Sequence, residues 1–98
     1  MRIPPNELGF SLCRTRQGRI VSGPVASGSP TRVDIRVECP PGSSFFGLFH
    51  THPKLPSGQG GIAKLSDMDT FSAQRVRAKV SCVATEGALR CFRVKKAG

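Results

Sequence analysis

Two histidines and one carboxylate stand at ligand spacing in this chain, in Phe49-His50-Thr51-His52-Pro53 and in Ser66-Asp67-Met68-Asp69. His50 and His52 end the apolar run Phe45-Phe46-Gly47-Leu48-Phe49, which reads as a buried strand. Residues two apart on a strand share a face at roughly 6.6 Å, so the two imidazoles can lean onto one ion. Pro53 closes the strand and leaves both rings at its mouth. Asp69 opens a helix beyond a Gly-rich loop, and Asp69, Ala73 and Val76 fall on one helical face (i, i+4, i+7). An inward carboxylate in a first helical turn is costly unless paired or metal-bound. Two imidazole nitrogens, one carboxylate oxygen and an open fourth position make a catalytic zinc set. Each fragment taken alone also has a plainer reading. Ser66 with Asp69 resembles a capping box, and paired histidines on a strand can be ordinary polar residues. Found together in so short a chain, they point to a metal site.

The elements that must position these residues follow in chain order. Leu8 to Cys13 alternates apolar and small residues as a first strand, and Ile20 to Ala26 forms a second, interrupted at Gly23-Pro24. Ser27-Gly28-Ser29-Pro30 is a loop. Arg32 to Glu38 alternates strictly, which predicts a half-exposed strand with Val33, Ile35 and Val37 inward. The loop from Lys54 to Leu65 carries Gly58, Gly60 and Gly61, so it is either a mobile cleft border or a tolerated insertion. A helix from Asp67 to about Arg77 leads to strands Ala78 to Ala84 and Ala88 to Val94, turned at Glu86-Gly87, with a frayed tail from Lys95. That turn sets Cys82 opposite Cys91 in a non-hydrogen-bonded pair, with Cα atoms about 4.5 Å apart. The distance suits either a disulfide or two thiols in contact. No C-x-x-C spacing marks a Cys-rich zinc site, and no cysteine adjoins the His pair as a nucleophile.

His50-Thr51-His52-Pro53 followed by Ser66-x-x-Asp69, with Glu7 upstream, resembles the JAMM (MPN+/JAB) metalloprotease family over nearly the whole chain, as a minimal prokaryotic-type member. The resemblance implies a cytidine-deaminase-like α/β fold, with a curved mixed sheet and one helix after the metal-ligand loop. It implies Zn2+ held by His50, His52 and Asp69, a general base at Glu7 that activates water, and oxyanion assistance from Ser66. Among the other carboxylates, Glu38 and Asp34 lie on the polar side of an alternating segment and Glu86 in a turn, so elimination also favours Glu7. Two departures stand out. The loop from His-Pro to Ser is longer than usual; Pro56-Ser57 also fits the loop's pattern, but Gly60 stands where its Asp would be. Most of the helix that usually precedes the Glu is missing from this sequence, so part of the usual scaffold is either absent or supplied by a partner.

Ninety-eight residues make one domain, 1–98, with 38% hydrophobic residues and 6% aromatics, all Phe. A chain of this size buries roughly 60–65% of its unfolded surface, a margin that bound metal would widen. No apolar run reaches membrane-spanning length, and the first residues lack the apolar segment of a secretory signal, so the expected location is cytoplasmic. The expected activity is zinc-dependent hydrolysis of a peptide or isopeptide bond. The resemblance implies a protein or peptide substrate, with the C-terminal tail of a ubiquitin-like modifier as one form. The net charge of +9 sets out a different class of function, a basic nucleic-acid-binding module. Seven of the fifteen basic residues, Arg75, Arg77, Lys79, Arg90, Arg93, Lys95 and Lys96, fall in the last quarter. An inactive JAMM-like scaffold is the third reading.

Overall fold

The computed structural model describes residues 2–96. Its strands are β1 (Leu8–Thr15), β2 (Ile20–Ser22), β3 (Ala26–Ser27), β4 (Ser43–Thr51), β5 (Val80–Ala84) and β6 (Leu89–Arg93), with one helix, α1 (Asp67–Arg75), between β4 and β5. They form a mixed sheet in the order β2-β1-β4-β5-β6, with β3 also paired to β1. Among the described residues only β4 and β5 run parallel. Parallel neighbours need a long crossover, and the loop plus α1 is that crossover. The chain is therefore an α/β domain, and its central strand β4 carries the His motif at its C-terminal end.

The register decides which side chains share a face. Leu48 lies opposite Ser81, and His50 opposite Val83 and Gly9. On this face Ala73 and Ala78 pack against Leu48, with Ile35, Phe45, Val76 and Val94 around them. The two small residues let α1 and its exit lie close on the sheet. Removing the Leu48 side chain from such a core costs about 2–5 kcal/mol. Phe10 stacks on Phe49 on the opposite face, with centroids 4.6 Å apart.

Arg32 to Glu38 is not the strand its alternation predicts. It crosses this face without joining the sheet, and Val37 is exposed. Ser11 Oγ donates to the Arg36 carbonyl, Glu38 N–H donates back to Ser11 Oγ at 3.4 Å, and a Cys13–Cys39 disulfide ties the segment to β1. Gly9 makes room for it: a Cβ there would stand 2.6 Å from the Ile35 side chain. Side-chain anchors thus replace the ladder hydrogen bonds that β1 already spends on β2, β3 and β4.

The remaining boundaries move by a few residues, with α1 ending at Arg75 and β5 and β6 trimmed to five residues each. The helix stops through paired reverse hydrogen bonds, Ala78 N–H to Ala73 O at 2.9 Å and Arg77 N–H to Gln74 O at 3.1 Å, with Arg77 in the left-handed region at φ 58°. At β5–β6, Cys82 faces Cys91 as the turn at Glu86-Gly87 requires. The pair is disulfide-bonded, with a Cα separation of 4.0 Å. The Lys95 carbonyl accepts from Gln74 Nε2 at 3.1 Å, so the tail expected to fray is held that far; residues 97 and 98 lie outside the described residues.

Candidate metal centre

His50 is the last but one residue of β4, and its side chain is buried on the α1 face at 5% exposure. His52 follows the strand, held by its N–H to the Ala84 carbonyl at 2.9 Å. The two Nε2 atoms are 2.9 Å apart. Asp69 reaches them from the first turn of α1, with Oδ2 3.1 Å from His52 Nε2 and 3.3 Å from His50 Nε2. The same Oδ2 accepts the Ser66 N–H at 2.9 Å, while Ser66 Oγ accepts the Asp69 N–H at 3.1 Å. The capping box and the converging carboxylate, alternatives in the sequence, are one arrangement: the cap aims the carboxylate.

Glu7 arrives from the strand on the other side. Its N–H donates to Ser29 O and its carbonyl accepts from Gly28 N–H, each near 2.8–2.9 Å. Gly28 is required there, because a Cβ would lie 1.9 Å from the Arg32 carbonyl. Leu8 N–H donates to Thr51 Oγ1 at 2.9 Å, pinning β1 to the end of β4. Glu7 is 7% exposed, and a carboxylate oxygen of Glu7 and one nitrogen each of His50 and His52 lie within 4.8 Å of one another. Of the rival carboxylates, Asp34 pairs with Arg32 and Glu38 with Arg36 at the surface, and Asp34 also lines a cleft beside His50.

The long loop has a part in the site that its composition left open. It folds on itself through Leu55 N–H to Gln59 O and a bridge between Lys54 and Gly60. Its Ile62 carbonyl accepts the His52 Nδ1–H at 2.9 Å. No residue-type signal marks a backbone acceptor, so sequence reasoning missed it. Because a carbonyl can only accept, His52 carries its proton on Nδ1 when neutral, and the Nε2 lone pair points at Asp69 and His50.

Electrostatics fit this geometry. Hydrogen bonding to Asp69 raises the His52 pKa above its ordinary value against the opposing effect of burial, with the Ile62 carbonyl contributing. Burial opposes ionisation of Asp69, yet hydrogen bonds from His50, His52 and the Ser66 N–H together hold its carboxyl well below the usual range. Burial pushes the Glu7 carboxyl up, and the nearby histidines pull it partway back.

Three Lewis-basic atoms thus converge at 2.9–3.3 Å. Tetrahedral zinc with bonds of about 2.0–2.2 Å sets its ligand atoms roughly 3.3–3.5 Å apart, close to the spacing found. The donor set, two imidazoles and a carboxylate with one tautomer fixed by a backbone carbonyl, suits a divalent cation. His52, Asp69 and Glu7 line a cleft of about 500 Å³ together with Pro53, Leu55 and residues 60–62 and 64–66. A second cleft of about 370 Å³ reaches His50, Glu7 and Asp69 from beside Ile35 and Met68. No helix of the described residues is long and apolar enough to cross a membrane. Comparison with known protein families, with curated proteins and with solved structures finds no match.

Proposed function

We propose that this chain is a zinc-dependent hydrolase of peptide or isopeptide bonds, with a JAMM-type, cytidine-deaminase-like fold. The observation that carries the reading is the convergence of His50, His52 and Asp69 on one point, with the buried Glu7 carboxylate beside it at the mouth of a cleft. His50 Nε2, His52 Nε2 and Asp69 Oδ2 would hold the metal. Zinc held there supplies a Lewis acid that polarises the amide carbonyl and lowers the pKa of water toward 7.

The chain's own residues do the rest. Glu7 accepts the proton of the attacking water as the C–O bond forms, then delivers it to the amine nitrogen as the C–N bond breaks. Its raised pKa brings it nearer the operating pH, which suits both transfers. The Ser66 hydroxyl accepts from Asp69 N–H through a lone pair, leaving its own hydrogen to donate to the carbonyl oxygen as charge develops there. The Ile62 carbonyl keeps the His52 ring oriented. An extended substrate tail, such as that of a ubiquitin-like modifier, would lie in the open cleft between the loop and Pro30-Thr31. A cytoplasmic setting goes with the two disulfides in cells that maintain intracellular disulfides.

The test is metal analysis of the purified protein together with cleavage of a modifier fusion. Parent protein should hold about one zinc and cleave. Glu7→Gln should hold the same zinc and turn over roughly 10²-fold more slowly, the usual loss for a positioned general base. Full turnover in that variant would remove Glu7 from the mechanism, and a zinc-free, inactive parent would sink the reading.

A further inference from the structure

The fold gathers cations without carboxylates at one end of the sheet, although Arg90, Lys54 and Lys64 stand toward the metal end. The end of the sheet away from His50 holds the C-terminal end of β1, the N-terminal ends of β4 and β5 and the C-terminal end of β6, as their pairing requires. Helix α1 also ends there. Arg14, Arg75, Arg77, Lys79, Arg93 and Lys95 are all exposed at this end. Backbone hydrogen bonds bind their elements together: Lys79 N–H to Phe46 O at 2.7 Å and Val94 N–H to Lys79 O at 3.0 Å. Gln74 Nε2–H donates to Lys95 O at 3.1 Å. The carboxylates gather elsewhere. Glu7, Asp67, Asp69 and Glu86 lie at the metal end, and Asp34 and Glu38 are matched with Arg32 and Arg36.

We infer that this basic end is a docking surface for the phosphate backbone of a nucleic-acid duplex. From β1 to β6 the cations step across three strand spacings, roughly 14 Å, a row suited to a chain of regularly spaced phosphates. A protein partner would need an apolar centre; at this end Ile20, opposite Arg14, is a lone exposed apolar side chain, while Ile62, Met68 and Leu89 lie at the metal end. Single strands would need open aromatic platforms. Here Phe46 is covered by the Arg14 guanidinium 5.0 Å from its ring centre, Phe92 is half-buried, and Phe71, exposed one turn before Arg75, is a single ring rather than a series of platforms. Contacts of this kind position without reading sequence.

Arg77 supplies an independent observation. It occupies the left-handed position that terminates α1, at φ 58°, where glycine is the residue of lowest cost. An arginine there weakens the helix stop and puts an exposed cation at the basic end, between Arg75 and Lys79 in sequence. That conflict between local stability and side-chain identity marks a side chain used for something other than folding.

The surface does not depend on the metal centre, so its test is separate. Fluorescence anisotropy of a short mixed-sequence duplex should give an affinity that falls with salt at a log–log slope of about −4 to −5, the value for five or so phosphate contacts. The double variant Lys79→Glu/Arg93→Glu should lose at least about tenfold in affinity. Arg77→Gly is the sharper probe. It should raise Tm by about 2–6 °C while making the slope shallower by about one; an arginine with only a structural role would move Tm alone. Arg36→Gln, outside this end, and Asp67→Asn, exposed at the metal end, should bind duplex as the parent does. The inference is overturned by absence of duplex binding at low salt, or by parent-like affinity in the double variant and parent-like slope in Arg77→Gly. Displacement of duplex by polyglutamate as effectively, per charge, as by unlabelled duplex also overturns it, in favour of an acidic protein partner.

Discussion

Asp69→Asn separates the two tasks of one carboxylate. Asp69 Oδ2 sits 3.1 and 3.3 Å from the two imidazole Nε2 atoms and also accepts the Ser66 N–H at 2.9 Å. Asparagine keeps a carbonyl oxygen for Ser66, so the cap of α1 survives, but the anionic ligand atom is gone. Losing a charged hydrogen-bond partner costs about 1.5–3 kcal/mol, and losing a charged ligand to zinc should cost at least about 2.7 kcal/mol, or a hundredfold in affinity. With free zinc at about 1,000 times the parent's dissociation constant, binding stabilises the parent by about 4 kcal/mol and the variant by about 1.4 kcal/mol. For a domain of this size the difference corresponds to about 10–20 °C in Tm. The assay is thermal melting in buffered free zinc and in chelator, alongside Asp67→Asn. Asp67 lies in the same turn but is exposed, so that variant should keep the parent's full gain. A zinc-dependent gain in Asp69→Asn equal to the parent's would refute the ligand assignment, whatever the chelated proteins do.

Three further outcomes are expected. Ser66→Ala removes the acceptor for the Asp69 N–H, costing about 1 kcal/mol of stability; it should keep zinc, and its turnover should fall by more than the melting curve explains. The gain in Tm from zinc should grow between about pH 6 and about pH 8. In zinc-free protein the raised His52 pKa gives a contribution that is fully present below the unfolded histidine value, about 6.5, and lost as pH rises through the folded one. The depressed Asp69 pKa gives a contribution present above the unfolded carboxylate value, lost only as pH falls toward strong acid. Zinc needs neutral imidazoles, so its binding strengthens over the same window, and a gain that shrinks toward pH 8 would contradict the site. A non-reduced, alkylated digest should yield the Cys13–Cys39 and Cys82–Cys91 peptides. With sequence separations of 26 and 9, opening the first should destabilise by about 3.5 kcal/mol and the second by about 2.6 kcal/mol in the chain-entropy picture; equal melting of reduced and oxidised protein would go against both.

The ligand strand, the inward face of α1 and the β5–β6 register were legible because each rests on short-range periodicity. Residues two apart on a strand, three or four apart on a helix, or mirrored about a two-residue turn have positions set by local geometry alone. His50 beside His52, Asp69 above Ala73 and Cys82 opposite Cys91 all follow from it. Tertiary structure decided the rest, where the partner lies far along the chain. Alternation in Arg32 to Glu38 reports a chain with one side toward the core, but it says nothing about whether a sheet edge is free to receive it. β1 was already paired, so the segment crossed the face and was tied down through Ser11 and Cys39. The Ile62 carbonyl that orients His52 belongs to the backbone, which every residue carries, so no residue type announces it. The gathering of cations at one end likewise depends on β4 and β5 running parallel, which brings Arg14 and Lys79 to one end of the sheet although 65 positions separate them in sequence.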